Sequence, residues 1–470
     1  MSYVYSLSII VLFTGVLQSQ IPRKSVSTGE VTIDHQIIRY QAMVEETFLF
    51  VSRDSVGSVI TTSYIVPGQD DHRPVIFLFN GGPGASSSPL HMYAFGPVRL
   101  KKGKDTTVQI NNDYSLIDRA DLVFIDPIGT GLTQVFNPDK AKEYWDVEND
   151  AKAFLEIMKE WKSKHQRQHS PVFICGESYG TIRAAEIMSL KENFKVKGVL
   201  LFSSLLDVSM AAPVSGNEMP YLLNIPTMAA IAWYHHKSTL KFNSAELSFK
   251  EAVQFVTSEY QPALFAGNSL KSAQRITMAN KLSSRIGLPV PFLIQHDLRI
   301  TPEEFEMNLL ADQNKRIGKL DGTVTALKNQ KPYSSREDPS LVVNTILRGD
   351  YVGRYFKHNL GFHSDSIYKG VNFKVNSAWT WKSMDAWLGY YSVLPGLEKA
   401  MKEDVAIKLF VAGGLYDLAT PVYGAKYLFD HSKIDPSRIS FHIFPTGHSI
   451  FEVESELSKF SKKVKEFISY

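Results

Sequence analysis

An apolar run, Pro171-Val172-Phe173-Ile174-Cys175, leads into Gly176-Glu177-Ser178-Tyr179-Gly180 and continues as Thr181-Ile182-Arg183-Ala184-Ala185-Glu186-Ile187-Met188. The first segment has the composition of a buried strand and the last is rich in good helix formers. Gly-x-Ser-x-Gly between them demands a turn so tight that only glycine fits at its flanks, and such a turn lifts the serine hydroxyl above the sheet edge. The fold must therefore deliver strand, sharp turn and helix in that order, with a nucleophile at the turn. The pattern is short, so its weight depends on partners elsewhere in the chain.

Further buried strands flank it. Val75 to Phe79 is continuously apolar, as in a strand covered on both faces, and it runs into Asn80-Gly81-Gly82-Pro83-Gly84-Ala85-Ser86-Ser87. Backbone N–H groups of so glycine-rich a loop can point at a ligand, as in the oxyanion loop after the third strand of α/β-hydrolases. A phosphate loop is the alternative, but the required Lys-Ser/Thr ending is missing. Asp121 to Ile125 is another buried strand, followed by Asp126-Pro127-Ile128-Gly129-Thr130-Gly131. An amphipathic helix carries Val147, Ala151, Phe154, Leu155, Met158 and Trp161 on one stripe, and Val199 to Phe202 is again a buried strand. Such alternation implies a mostly parallel sheet covered by helices. Before it, Ile37–Tyr40, Thr47–Val51 and Ser58–Val66 predict three short antiparallel strands.

From Asp207 to about Trp387 the strand–helix logic lapses into an aromatic-rich, mainly helical stretch, read as an inserted cap. Strand logic returns with Ile407–Ala412 before Gly413-Gly414-Leu415-Tyr416-Asp417, and with Ile439–Phe444 before Pro445-Thr446-Gly447-His448. The expected fold is an α/β-hydrolase. Residues 21–206 and 388–470 form its core, and 207–387 form a large helical cap.

Ser178, Asp417 and His448 occur in the order Ser…Asp…His, each just past the end of a predicted buried strand. In those roles Ser178 attacks a carbonyl, His448 takes and returns the proton, and Asp417 holds the imidazole. Asp404 and Asp435 lie near Asp417 and compete for its part, while His442 falls inside a strand. The backbone N–H groups of Gly82 and Tyr179 are the expected oxyanion donors. The histidines at 235, 236, 296, 358 and 363 lack metal-ligand spacing, so no metal is assigned and no cofactor is implied.

Composition narrows the setting. A net charge of +3 gives no nucleic-acid face, and no stable membrane partner is expected. Ser6 to Leu17 is an apolar run too short to span a bilayer. It predicts a secretory signal peptide over residues 1–20, hence a secreted or periplasmic protein, with a tethering N-terminus as the alternative. The single cysteine, Cys175, excludes an intramolecular disulfide and reads as a buried apolar residue.

Taken together, Asn80-Gly81-Gly82-Pro83-Gly84-x-Ser86-Ser87, Gly96-Pro97, Asp126-x-x-Gly129-x-Gly131, Gly176-Glu177-Ser178-Tyr179-Gly180, Asp417 with Pro421, and Gly447-His448 resemble the serine carboxypeptidase family, peptidase family S10. The resemblance runs from about residue 45 to the end. Ser178-Tyr179-Gly180-Thr181-x-Arg183-Ala184-Ala185 and Pro220-Tyr221…Ala232-Trp233-Tyr234-His235 look most like its bacterial branch. It implies hydrolysis of C-terminal peptide bonds, with peptide or protein C-termini as substrate and with Asn80 and Glu177 binding the terminal carboxylate. To donate to an anion Glu177 must be protonated, so activity should favour acid pH. The chain departs from the family at Ala94, where many members carry a second acid, at Ala85 in place of cysteine, and at Ser449 where methionine is common. An esterase or acyltransferase on the same scaffold is the rival reading, and a non-catalytic peptide-binding protein a more distant one.

Overall fold

The structure is a computed structural model that describes residues 21–68, 71–102, 107–328, 338–343, 349–381 and 391–469. The expected signal peptide over residues 1–20 lies outside the described residues.

Thirteen strands are described: β1 (Lys24–Ile33), β2 (Gln36–Val51), β3 (Asp54–Ile65), β4 (Val75–Phe79), β5 (Val98–Lys102), β6 (Thr107–Asn111), β7 (Asp121–Asp126), β8 (Val172–Glu177), β9 (Gly198–Phe202), β10 (Lys315–Ile317), β11 (Thr325–Leu327), β12 (Lys408–Gly414) and β13 (Ile439–Phe444). Nine of them form one sheet in the order β1-β2-β3-β7-β4-β8-β9-β12-β13. The first three pairings are antiparallel and the remaining five parallel. This is the α/β-hydrolase arrangement, a mixed sheet whose parallel half carries the loops of interest.

The apolar runs form strands because both faces of the parallel half are covered. Phe77, Phe79, Ile174, Val199, Leu201 and Val411 join a cluster on one face. Their alternating neighbours Ile76, Leu78, Phe173, Cys175, Leu200 and Phe410 join a cluster on the other. The two-residue period of a strand thus feeds two cores at once. Helices Val147–Lys164 and Tyr179–Leu190 cover the first face, and Glu454–Ile468 covers the second. The Asp146 carboxylate caps the first of these helices by accepting from Asn149 N–H at 2.8 Å.

The antiparallel opening differs from expectation. Ile37–Tyr40 and Thr47–Val51 belong to one sixteen-residue strand, β2, and β1 precedes it as the sheet edge. Polar Glu45 and Glu46 interrupt the apolar pattern of β2, yet both are buried. Glu46 receives Arg23 and the Ser58 hydroxyl, while Glu45 receives Lys24, Lys164 and His165. Buried charges so paired do not end a strand.

Between β9 and β12 the described residues are helical apart from the β10–β11 hairpin and the loops. Leu222 to Ile317 contribute a third apolar cluster that closes against Leu415, Tyr416, Leu418 and Val422. Val352, Tyr355, Phe356 and Tyr368 instead join the second core cluster, and Val375 and Trp379 the first.

Candidate active site

Every residue singled out in the sequence as nucleophile, acid or base lies just beyond the carboxyl end of a parallel strand, where open α/β sheets collect their site loops. Ser178 follows β8 with φ 59° and ψ −129°, a backbone conformation a side chain rarely adopts. The tightness of the turn explains Gly176, because a Cβ there would lie 2.1 Å from the Gly180 carbonyl oxygen. Ser178 N–H donates to Phe202 O at 2.9 Å, tying the turn to β9.

Asp417 follows β12 and His448 follows β13. The His448 imidazole meets the buried Asp417 carboxylate, Nδ1 to Oδ2, at 2.7 Å. Asp417 Oδ1 also accepts from the N–H groups of Ala419 (2.9 Å) and Thr420 (3.1 Å), and the Thr420 hydroxyl donates to Oδ2 at 2.5 Å. A carboxylate held by four donors is fixed in position and ready to orient an imidazole. Asp404 and Asp435 make no such contact; each accepts from nearby backbone N–H groups. His442 sits within β13, as expected. Burial opposes the charged form of His448, but the charge and hydrogen bond of Asp417, with Glu177 adding to them, outweigh it and raise the ring to about 9. Ser178 is half-buried, and no hydrogen bond joins its hydroxyl to His448 among the described residues. Such links commonly tighten only when substrate arrives.

The glycine-rich loop lies beside the elbow. A Cβ on Gly81 would sit 2.4 Å from the Tyr179 nitrogen, so the two segments approach backbone to backbone. Among the described residues, the Gly82 and Tyr179 N–H groups have no backbone carbonyl partner outside the regular elements. Tyr179 opens its helix, where the first N–H groups are free by construction. Two such donors flanking a nucleophile can receive a developing oxyanion.

Asn80, just past β4, and Glu177, the last residue of β8, meet through their side chains. The Asn80 amide Nδ2 donates to Glu177 Oε2, and its Oδ1 accepts from Leu90 N–H at 3.2 Å. Ser449 Oγ donates to the other oxygen of Glu177 at 3.2 Å. Burial is the largest influence on Glu177 and, against His448, Ser449 and Asn80, pushes the carboxyl up to about 7. A buried acid at that value can be neutral in mildly acidic solution and so donate a hydrogen bond.

Several contributors had not been singled out as site residues. Arg183 is fully buried; it donates to Asp150 through Nε (2.6 Å) and Nη2 (3.2 Å) and to the Asn80 carbonyl through Nη1 (2.7 Å). It therefore fastens the elbow helix to the glycine-rich loop. The segment 370–376 holds that loop from the other side. Ser86 N–H donates to Gly370 O, Asn372 N–H to Gly84 O, and the Asn376 amide to Pro83 O. Trp379 and Trp381 stand edge-on to the Tyr179 ring at 5.0 and 5.8 Å. The aromatic richness of this stretch was the only sequence signal for that wall.

Comparison with known proteins bears on the fold and the family. The fold is that of α/β-hydrolases. Over 92% of this chain and 91% of the other it superposes on Kex1(Δ)p, a prohormone-processing carboxypeptidase from Saccharomyces cerevisiae, with a TM-score of 0.56 and 16% identity. The family profile described as serine carboxypeptidase matches residues 64–438, and the chain belongs to that family. Among curated relatives, serine carboxypeptidase-like 13 of Arabidopsis thaliana is 32% identical over 117 residues, 23% of this chain and 26% of that protein. Carboxypeptidase Y of S. cerevisiae is 34% identical over 145 residues, 28% of this chain and 26% of the relative. The matches span about a quarter of the length of these curated relatives. No helix among the described residues is long and apolar enough to cross a membrane.

Proposed function

We propose that this protein is a serine carboxypeptidase that removes residues from the C-termini of peptides or proteins through an acyl-enzyme. The observation that carries the reading is the pairing of two sites within one strand-end cluster. One holds the His448–Asp417 bond beside Ser178; the other is a buried carboxyl, Glu177, immediately before that serine and held by Asn80 and Ser449. An ordinary serine hydrolase needs the first. Recognition of a chain end gives a purpose to the second.

In this reading the terminal carboxylate of the substrate lies against Asn80 and protonated Glu177, which sets the last peptide bond over Ser178. His448 removes the serine proton as Oγ attacks the carbonyl carbon, the oxyanion forms against the Gly82 and Tyr179 N–H groups, and His448 gives the proton to the departing amine. Water then repeats the sequence on the acyl-enzyme. Glu177 and His448 are linked through their charges. An incoming carboxylate repels ionised Glu177 and accepts from its neutral form, so binding favours the protonated acid.

We assign residues 207–387 to a cap inserted into the hydrolase core, and the chain to the bacterial-type branch on the Ser178–Ala185 and Pro220–His235 motifs. We also assign it to export, on the apolar run near the N-terminus. The test is hydrolysis of blocked dipeptides between pH 4 and 8 by wild type and Ser178→Ala. Release of free C-terminal amino acids, strongest in acid and lost in the variant, is expected. Turnover of esters without peptides at any pH would move the assignment to an esterase or acyltransferase.

A further inference from the structure

The acid and base loops are not held by the sheet alone. The tip of the β10–β11 hairpin, residues 318–324, lies against both of them through main-chain bonds. Leu418 N–H donates to Lys319 O at 3.0 Å, His448 N–H donates to Leu320 O at 2.6 Å, and Gly322 N–H donates to Tyr416 O at 2.9 Å. The first and third contacts bracket Asp417 and the second belongs to the histidine itself.

The tip is anchored from behind. Asp338 Oδ1 accepts from Lys319 N–H at 3.0 Å and Oδ2 from Leu320 N–H at 2.9 Å. Asp338 Oδ1 also takes the Ser340 N–H and hydroxyl, and Ser340 Oγ accepts from Asp321 N–H at 3.0 Å. His235 Nε2 lies 2.7 Å from the Gly322 carbonyl and donates to it. Two consecutive peptide groups therefore act as relays. The Lys319–Leu320 peptide is bound by Asp338 on its N–H side and by Leu418 on its carbonyl side. The Leu320–Asp321 peptide is bound by Ser340 on one side and His448 on the other. Hydrogen bonds in such a chain polarise and stiffen one another. The approach is so close that Gly447 can carry no side chain: a Cβ there would lie 2.5 Å from Asp321 Cβ and 2.7 Å from Leu320 O.

We propose that the hairpin tip Lys319–Gly322 is a positioning element that sets the Asp417 and His448 loops relative to one another, with Asp338 and Ser340 as its anchors. Asp338 acts through the two peptide groups, and its removal frees the loop that carries the base. This inference rests on reading Ser178, Asp417 and His448 as the catalytic groups.

The test compares wild type, Asp338→Ala, Asp338→Asn and Ser178→Ala by the rate at which a fluorophosphonate labels Ser178, and by kcat and KM on a blocked dipeptide. Displacement of a catalytic group by about 1 Å costs on the order of 100-fold. Asp338→Ala is expected to lower both the labelling rate and kcat by about 10- to 100-fold, with KM within about 2-fold of wild type. Asp338→Asn, which keeps one acceptor oxygen, should fall between. Unchanged labelling and kcat in folded Asp338→Ala would overturn the proposal, even if its melting temperature drops. If that variant does not fold, Ser340→Ala is read by the same two quantities. Labelling of Ser178→Ala at the wild-type rate would instead overturn the catalytic reading itself, so the two failures are distinguishable.

Discussion

The side chains proposed to do the chemistry and the backbone that holds them come from different regions. Ser178, Asp417, His448 and Glu177 all sit at or just past the ends of parallel strands, within motifs of a few residues. The braces come from the stretch between β9 and β12. Residues 318–322 bind the acid and base loops, and residues 370–376 bind the glycine-rich loop. A sheet gives strand ends a common edge but leaves its loops free. Here the stretch between β9 and β12 supplies the backbone partners those loops would otherwise lack, as buried backbone groups require.

The comparison can be broken most sharply on the sheet side. Asp417→Asn should lower kcat by about 10⁴-fold with the fold intact, because the amide no longer holds the correct imidazole tautomer. A loss under about 10-fold in steady-state assays would remove Asp417 from the account. Next in size is the core brace. Arg183→Met leaves Asp150 buried without its cation, which should cost about 3–5 kcal/mol in urea unfolding. A change under about 1 kcal/mol would mean the pair contributes nothing to the elbow.

Smaller effects sharpen the division. Ser449→Ala removes one donor to Glu177; because that donor favours the ionised carboxyl, its loss should carry the preference for a free terminal carboxylate to higher pH, an effect of about 1 kcal/mol. Ester substrates lacking that carboxylate should be unaffected; equal effects on both would show that Ser449 only packs. The same carboxyl predicts a dependence of stability on pH. Glu177 is raised from 4.5 to about 7 and His448 from 6.5 to about 9. The folded protein therefore holds more protons than the unfolded chain between about pH 4.5 and 9, and the stability from these two groups is lost as pH rises through that window. Glu177→Gln should remove the part below about pH 7, as read by urea melts at pH 5 and 7.

What could be read from the sequence follows the same division. The buried strands announced themselves as unbroken apolar runs, and the nucleophile elbow as a local pattern with its own steric logic. The start of the sheet was harder. Glu45 and Glu46 resemble the end of a strand unless their partners, distant in sequence, are known. β1 is an edge strand whose outer half alternates between exposed and half-buried residues, so it has little apolar signal. The braces were illegible for a deeper reason. Lys319, Leu320 and Gly370 act through their carbonyls, which every residue possesses, so no side-chain pattern marks them. Asp338 reads as a turn residue. Gly447 was noticed beside His448, but the reason for it, the hairpin tip pressed against it, lies more than a hundred residues away.

The central claim, that the buried acid before the nucleophile reads a chain end, is tested most directly by the pH dependence of kcat/KM. The measurement uses matched substrates with a free or an amidated C-terminus, on wild type and Glu177→Gln. The account predicts that wild type prefers the free acid and loses that preference as pH rises through about 7. Glu177→Gln, a donor at every pH, should keep it into alkali. Equal rates on acid and amide, or a Glu177→Gln profile that overlays wild type, would contradict it.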